Sequence, residues 1–236
     1  MTKSEIAKFL ILRTIGNFLV LFAIFGVLAT FGPTLFYEVT YQIAHARGTE
    51  YKVADIQPVD SSSPEVSPTP VTNGGFAALI GSNNAGQVLT PKDTGFNILI
   101  PKIGANAKVF PNVDPTDEVE DLKILSQGVA HAKGTVFPGM NGNIYLFAHS
   151  TDNFWNVGRY NAIFYLLKDV KPGDDVVVYF EDVRHNYVVT DSQIVDPSDV
   201  TPIVDAQKTG QEQLILQTCW PPGTTFKRLL VFAKPK

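Results

Sequence analysis

Cysteine is almost missing from this chain. One thiol among 236 residues, Cys219, excludes an internal disulfide framework and any metal site built on several cysteines. Net charge is scarce too. A balance of -4, with 18% charged residues, offers no basic face, so no nucleic-acid partner is expected. No internal repeat is visible. Hydrophobic content of 44% is ordinary for a globular protein, and the length could hold one large or two small domains.

Charge is absent altogether from Thr14 to Tyr37, TIGNFLVLFAIFGVLATFGPTLFY. As a helix that run reaches about 36 Å, enough to cross a bilayer core of about 30 Å. Lys3, Lys8 and Arg13 precede it, and the flank after it is mixed, with Glu38, Arg47 and Glu50. The positive-inside rule puts the N-terminus in the cytoplasm and the remainder outside. A cleaved signal peptide is the competing reading. Its apolar part would be shorter, and VLATFG makes a poor cleavage site. A buried core helix would show a polar face, which this run lacks. Gly16, Gly26 and Gly32 are not four apart, so no helix-dimer motif is read.

The chain therefore divides into a cytoplasmic N-terminus (1–13), a transmembrane helix (14–37), a juxtamembrane segment with a Pro/Ser-rich linker (38–94) and a folded domain (95–236). QPVDSSSPEVSPTPVTNGG cannot bury enough apolar surface to offset chain entropy and reads as a tether. Residues 76–94 read as loop, and the GGFAAL patch in them leaves a lid as an alternative use. From about Gly95 strand-like runs begin: FNILIPKIG, AKVFPNV, GNIYLFAHS, DDVVVYFED, HNYVVTDSQIV, QLILQTC and KRLLVFAK. Turn signals at Pro138-Gly139, Asn141-Gly142 and Lys171–Asp175 separate them. Two short helices are expected, near Glu118–Leu125 and near Tyr160–Leu167. Many short strands with few helices make the domain mainly β, a barrel or sandwich.

Cys219 closes an apolar strand just before Pro221-Pro222-Gly223, which places it at a rim rather than in mid-core. Thr218 precedes it, with a hydroxyl in reach of neighbouring backbone or of a ligand. Arg228 follows nine positions later, and a turn of this length brings it back beside the thiol. A guanidinium there can favour the thiolate or hold a carbonyl oxygen as charge builds on it. A thiol nucleophile needs a proton partner, usually imidazole. His45 lies beside the membrane and His185 in a charged turn, EDVRHNY. His131 and His149 are the candidates, and His149 mirrors Cys219 by following an apolar strand into a polar loop. A cysteine in a β-rich core is also a common inert hydrophobe, so an uncatalytic role stays open at this point. The acidic stretch DPTDEVEDL, Asp114 to Leu122, lacks the glycine and ligand spacing of an EF-hand loop. It reads as a solvated loop or the acidic first turn of a short helix, so calcium is unsupported, no cofactor is expected and no metal ligand is assigned.

LQTC with RLLV after a short turn resembles the Thr-Cys strand and following arginine strand of the sortases, membrane-anchored cysteine transpeptidases of bacterial surfaces. NIYLFAHS is similar to their histidine strand. IPKIG, GVAHAKGTVFPGMNGN and LLKDVKPGDDVVVY resemble three further stretches in the same order. The resemblance covers roughly 95–236. It implies a closed eight-stranded β-barrel with Cys219 as nucleophile, His149 as acid/base and Arg228 as oxyanion or positioning group. It further implies that the loop Asp196–Glu212 lines a substrate pocket with Val200, Ile203 and Val204, beside Thr218. The implied substrates are surface proteins with a C-terminal signal of the Leu-Pro-any-Thr-Gly type. The implied acceptor is an amine of peptidoglycan or pilin. The short Cys-to-Arg turn is more similar to classes C, D and E than to class A. The alternatives are a hydrolytic cysteine peptidase, an L,D-transpeptidase (whose Ser-x-Gly-Cys surround is missing here) and a non-catalytic membrane-tethered β-domain that binds a surface partner.

Overall fold

The computed structural model describes residues 3–46, 51–54, 87–150, 163–222 and 224–236. One helix, α1, runs from Lys3 to Ala46. Its apolar part, Lys3–Ala29, is 27 residues long and apolar enough to cross a membrane, with none of it buried in protein. Phe18, Leu19, Val20 and Leu21 all stand more than half exposed, and consecutive residues point to successive sides of a helix. Apolar side chains on every face and a fully hydrogen-bonded backbone are what a lipid environment requires. The helix thus extends past both ends of the expected 14–37 span.

Among the described residues the remaining elements are ten strands, two further α-helices and two 3-10 helices. Eight strands close a barrel in the order β10-β8-β7-β3-β4-β5-β6-β9. They are β3 (Phe96–Ile100), β4 (Ala105–Val113), β5 (Val129–Ala132), β6 (Asn143–Phe147), β7 (Asp175–Phe180), β8 (Val183–Val195), β9 (Gln213–Trp220) and β10 (Lys227–Pro235). Closure leaves no unpaired edge. The pairs β4–β5 and β6–β9 are parallel and the other barrel pairs antiparallel. Period-two alternation sends Ile98, Ile100, Val109, Ile144, Leu146, Val176, Val178, Leu214, Leu216 and Val231 inward, all essentially inaccessible. The β7–β8 hairpin turns on Glu181 and Asp182, both at positive φ (49° and 63°), the two-residue turn whose twist matches flanking strands. His185 therefore lies on β8 itself, not in a turn.

A second apolar layer covers one outer face. Tyr145 and Phe147 of β6, Ile215 of β9, and Leu230 and Phe232 of β10 pack there with Leu125 and Ala206. Those last two come from α2 (Glu118–Leu125) and α3 (Thr201–Lys208). Acidic residues build the start of α2: the Asp117 carboxylate accepts from the Val119 and Glu120 N–H groups at 3.2 and 3.1 Å. Gly128 ends the connection to β5, where any side chain would collide with the Lys108 carbonyl and the Phe110 ring. At α3, the Asp199 carboxylate accepts from Thr201 N–H at 3.0 Å, Pro202 sits in the first turn and Gly210 follows the end at φ 63°. The stretch expected as a loop, Asp196–Glu212, thus contains a helix.

Two short strands lie on either side of the expected tether. β1 (Tyr51–Val53) and β2 (Gln87–Leu89) pair in parallel. Val53 and Leu89 pack on Leu99, Val177 and Tyr179 of the barrel wall. QPVDSSSPEVSPTPVTNGG and the GGFAAL patch lie outside the described residues, as does the start, 160–162, of the helix expected near Tyr160–Leu167. What is described of it is a 3-10 turn, Tyr165–Asp169.

Candidate active site

Cys219 stands two residues beyond Gln217 on the outward side of β9, while Leu214, Leu216 and Thr218 point into the barrel. The thiol is half-buried and unpaired with any other cysteine. The turn after it closes on the Pro221 carbonyl, which accepts from both the N–H (3.0 Å) and the hydroxyl (2.8 Å) of Thr224. The returning strand pairs Arg228 directly with Cys219. Directly opposed residues lie about 5 Å apart and on the same face of the sheet. Arg228 Nη1 donates to the Thr225 and Lys227 carbonyls at 3.1 and 3.2 Å, which holds the guanidinium at the turn.

His149 arrives from the other side. β6 runs parallel to β9 with Phe147 opposite Gln217, and the Ala148 N–H donates to the Gln217 carbonyl at 3.2 Å. Continued by two residues, that register sets His149 level with Cys219. Cys219 and Arg228 thus form a directly paired row on β9 and β10, and His149 follows the end of β6, the strand on the other side of β9. Thr218 locks the row. Its hydroxyl, 2% exposed as a residue, donates to the Ala148 carbonyl at 3.0 Å. Of the two uses expected for the Thr218 hydroxyl, the structure shows the bond to neighbouring backbone. The side chain points into the barrel and ties the end of the histidine strand to the cysteine strand.

The same face carries Tyr145, which sequence reading passed over although Tyr145, Phe147 and His149 share one side by period-two spacing. Its hydroxyl donates to the Gln217 side-chain oxygen, and burial pushes the phenol up to about 12 against the opposing pull of Arg228. Of the expected pocket residues, Val200 and Val204 are exposed (57% and 46%) on α3 and its N-terminal flank. Ile203 is half-buried against the outer layer, and its carbonyl accepts from the Asn143 amide at 2.8 Å.

His131, the rival histidine, is fully buried on β5. Its Nδ1 accepts from the Asn112 N–H at 3.3 Å, its Nε2 lies 3.0 Å from the Val136 carbonyl, and its ring stacks on Phe137 at 4.6 Å. Burial holds it below the usual imidazole range, with the Val136 bond opposing. It is a neutral core side chain. Of the acidic stretch, Asp114 is held down to about 2 by Thr116 and, after it, Lys133, and Asp117 caps α2. Asp121 differs: burial raises its carboxyl, and the charge pulling the other way is that of His149. A cavity of about 490 Å³ lies elsewhere, lined by Tyr51, Asp175, Arg184, Tyr187 and Lys236. Lys236 ends the chain after β10, eight residues beyond Arg228 at the strand's start, so this cavity is not the cysteine's groove.

The model of the sortase domain matches residues 98–236. Sortase D of Bacillus subtilis (strain 168) is 30% identical over 138 residues, covering 57% of this chain; the match spans 60% of that protein's length. Sortase C-1 from Actinomyces oris superposes with a TM-score of 0.51 at 25% identity, over 61% of this chain and 76% of that one. A lid mutant of sortase A from Corynebacterium diphtheriae gives 0.50 at 25% identity, over 61% and 70%. The eight-stranded closed barrel is their shared architecture, and with more than half of its length inside the family model, the chain belongs to the sortase family.

Proposed function

We propose that the chain is a membrane-anchored cysteine transpeptidase. It would cleave a Leu-Pro-any-Thr-Gly-like signal near the C-terminus of a surface protein and pass the acyl group to an amine of cell wall or pilin. The observation that carries this reading is the direct pairing of Cys219 with Arg228 across β9 and β10, with β6, which leads into His149, running parallel on the other side of β9. An isolated buried thiol would need neither a half-exposed position nor a cation set opposite it by register.

In this reading the Cys219 sulfur attacks the Thr carbonyl carbon, and Arg228 holds the oxygen as negative charge develops. The C–N bond breaks as protonated His149 gives its proton to the leaving Gly amine. A thioester remains on Cys219. The acceptor amine attacks it, His149 takes the amine's proton, and the Cys219 thiolate leaves with a new amide formed. The Val200 and Val204 side chains, exposed on α3 and its flank, present apolar surface for the Leu-Pro end of the signal, with Ile203 behind them. The expected division of the chain at 14–37, 38–94 and 95–236 fits this reading: anchor, tether and catalytic domain. The positive flank Lys3, Lys8 and Arg13 supports an N-terminus in the cytoplasm and a barrel outside.

The test is the full chain in detergent micelles with a labelled sorting peptide, with and without an added amine. Amide product that rises with amine concentration supports the proposal. Free acid alone, whatever the amine concentration, points to hydrolysis instead. Protease added to intact cells should remove the barrel and spare the first residues.

A further inference from the structure

Alternation leaves one face of each barrel strand pointing outward, and on β3 and β7 that face is closed over. Asn97 and Leu99 of β3 and Val177 and Tyr179 of β7 alternate with the inward Ile98, Ile100, Val176 and Val178, yet none is more than 3% exposed. β1 and β2 lie on this face. Val53 and Leu89 pack on Leu99, Val177 and Tyr179. The Ala54 carbonyl accepts from the Tyr179 hydroxyl and from Arg184 Nη1, each at 3.3 Å, while the Ala54 N–H donates to the Leu89 carbonyl at 2.9 Å. The Tyr51 ring lies so close to Gly104 that a side chain there would meet it at 3.1 Å. Just after β2, the Thr90 carbonyl accepts from the Asn106 amide at 2.6 Å, and Asn106 accepts in turn from the buried Asn97 at 3.0 Å. Two paired strands of this length have little stability of their own, so these contacts make β1 and β2 part of the barrel's fold.

We infer that β1 is the point at which the barrel is leashed, so that residues 47–50 alone set how far it reaches from its anchor. α1 ends at Ala46 and β1 starts at Tyr51. Five Cα steps span at most about 18 Å, whereas a free chain from 47 to 94 would average about 40 Å end to end and could extend several times farther. The spacer expected over 38–94 thus ends, for the purpose of reach, at Tyr51. A leash this short restricts the barrel to polypeptides presented close to the bilayer surface. A signal presented farther out is beyond it while β1 stays docked.

The inference uses α1 as a membrane anchor but not the transpeptidase reading, and its test needs no turnover. The full chain is placed in lipid nanodiscs, with Cys219→Ala and Val183→Cys putting one donor dye on the exposed β7–β8 hairpin and acceptor dyes on the lipid headgroups. A flexible Gly-Ser insert of about 30 residues goes either between residues 48 and 49 or between 70 and 71. The first insert should lower energy transfer about twofold or more, and the second should leave it unchanged. Val53→Asp with Leu89→Asp, which buries charge in the dock, should make the second insert lower transfer as the first does. Equal falls from both inserts with the native dock would overturn the inference, as would no fall from the first. A chain that does not stay with the nanodisc would overturn the anchor and the leash together.

Discussion

Arg228 and Thr218 share the immediate surroundings of Cys219 but are turned to opposite sides of the sheet. Arg228 is the direct cross-strand partner of the thiol, so its guanidinium works on the face where substrate would lie. Arg228→Ala should lower kcat about 10²- to 10³-fold, the usual loss for one oxyanion donor. Arg228→Lys should recover little, because an ammonium lacks the planar fork. Steady-state transfer kinetics at fixed pH check both. Thr218 faces the interior and is nearly inaccessible. Thr218→Val keeps the shape and strands the buried Ala148 carbonyl, which should cost about 1–3 kcal/mol in urea unfolding. Because that bond also holds the end of β6 to β9, kcat should fall with KM nearly constant, and Thr218→Ser should restore both.

The elements around the site show what can be read from a sequence and what cannot. β6, β9 and β10 were legible as apolar runs of strand length, NIYLF, QLILQTC and KRLLVFA, and the ends of the first two mark His149 and Cys219. α2 was legible from its acidic cap. β5 was not, being only the four residues VAHA, too short and too poor in large apolar side chains to stand out. α3 was read as a loop because eight residues with few apolar side chains carry little periodicity, although Pro202 and Gly210 punctuate its ends. Register was the harder matter. Nothing in the sequence says that β6 runs parallel to β9, and that pairing is what sets His149 rather than His131 level with the thiol. α3 also separates two kinds of expected pocket residue. Val200→Ser and Val204→Ser, on exposed positions, should raise KM for a sorting peptide several-fold with Tm unchanged. Ile203→Ser should lower Tm as well, since that side chain packs on the outer layer. Thermal unfolding beside peptide kinetics separates the two outcomes.

Across the whole molecule, stability should depend on pH through His131. Burial depresses its folded-state pKa, so the unfolded chain binds the proton more readily. Stability is full above about pH 6.5, the ordinary imidazole value, and falls as pH drops below it. Asp114 does not titrate there, being held down to about 2, and the raised Tyr145 titrates far above. Asp121 works in the opposite sense, because its raised carboxyl makes protonation favour the folded state as pH falls. Urea midpoints from pH 7 to 5 should therefore decline, and more steeply in Asp121→Asn, which removes the opposing group. A flat profile would contradict the neutral, buried assignment of His131. The same wholesale view explains the anchor: an apolar helix with no polar face belongs in lipid, while the barrel's closed sheet and buried core need no membrane.

The central claim is that Cys219 carries the acyl group, and intact-mass spectrometry of the full chain mixed with a sorting peptide, without amine, tests it most directly. The account predicts an adduct with the mass of the peptide's acyl portion, mapped to Cys219, lost on adding an amine and missing in Cys219→Ala. Transfer product from Cys219→Ala, or a Cys219 that stays unmodified while the native chain turns over peptide, would contradict it.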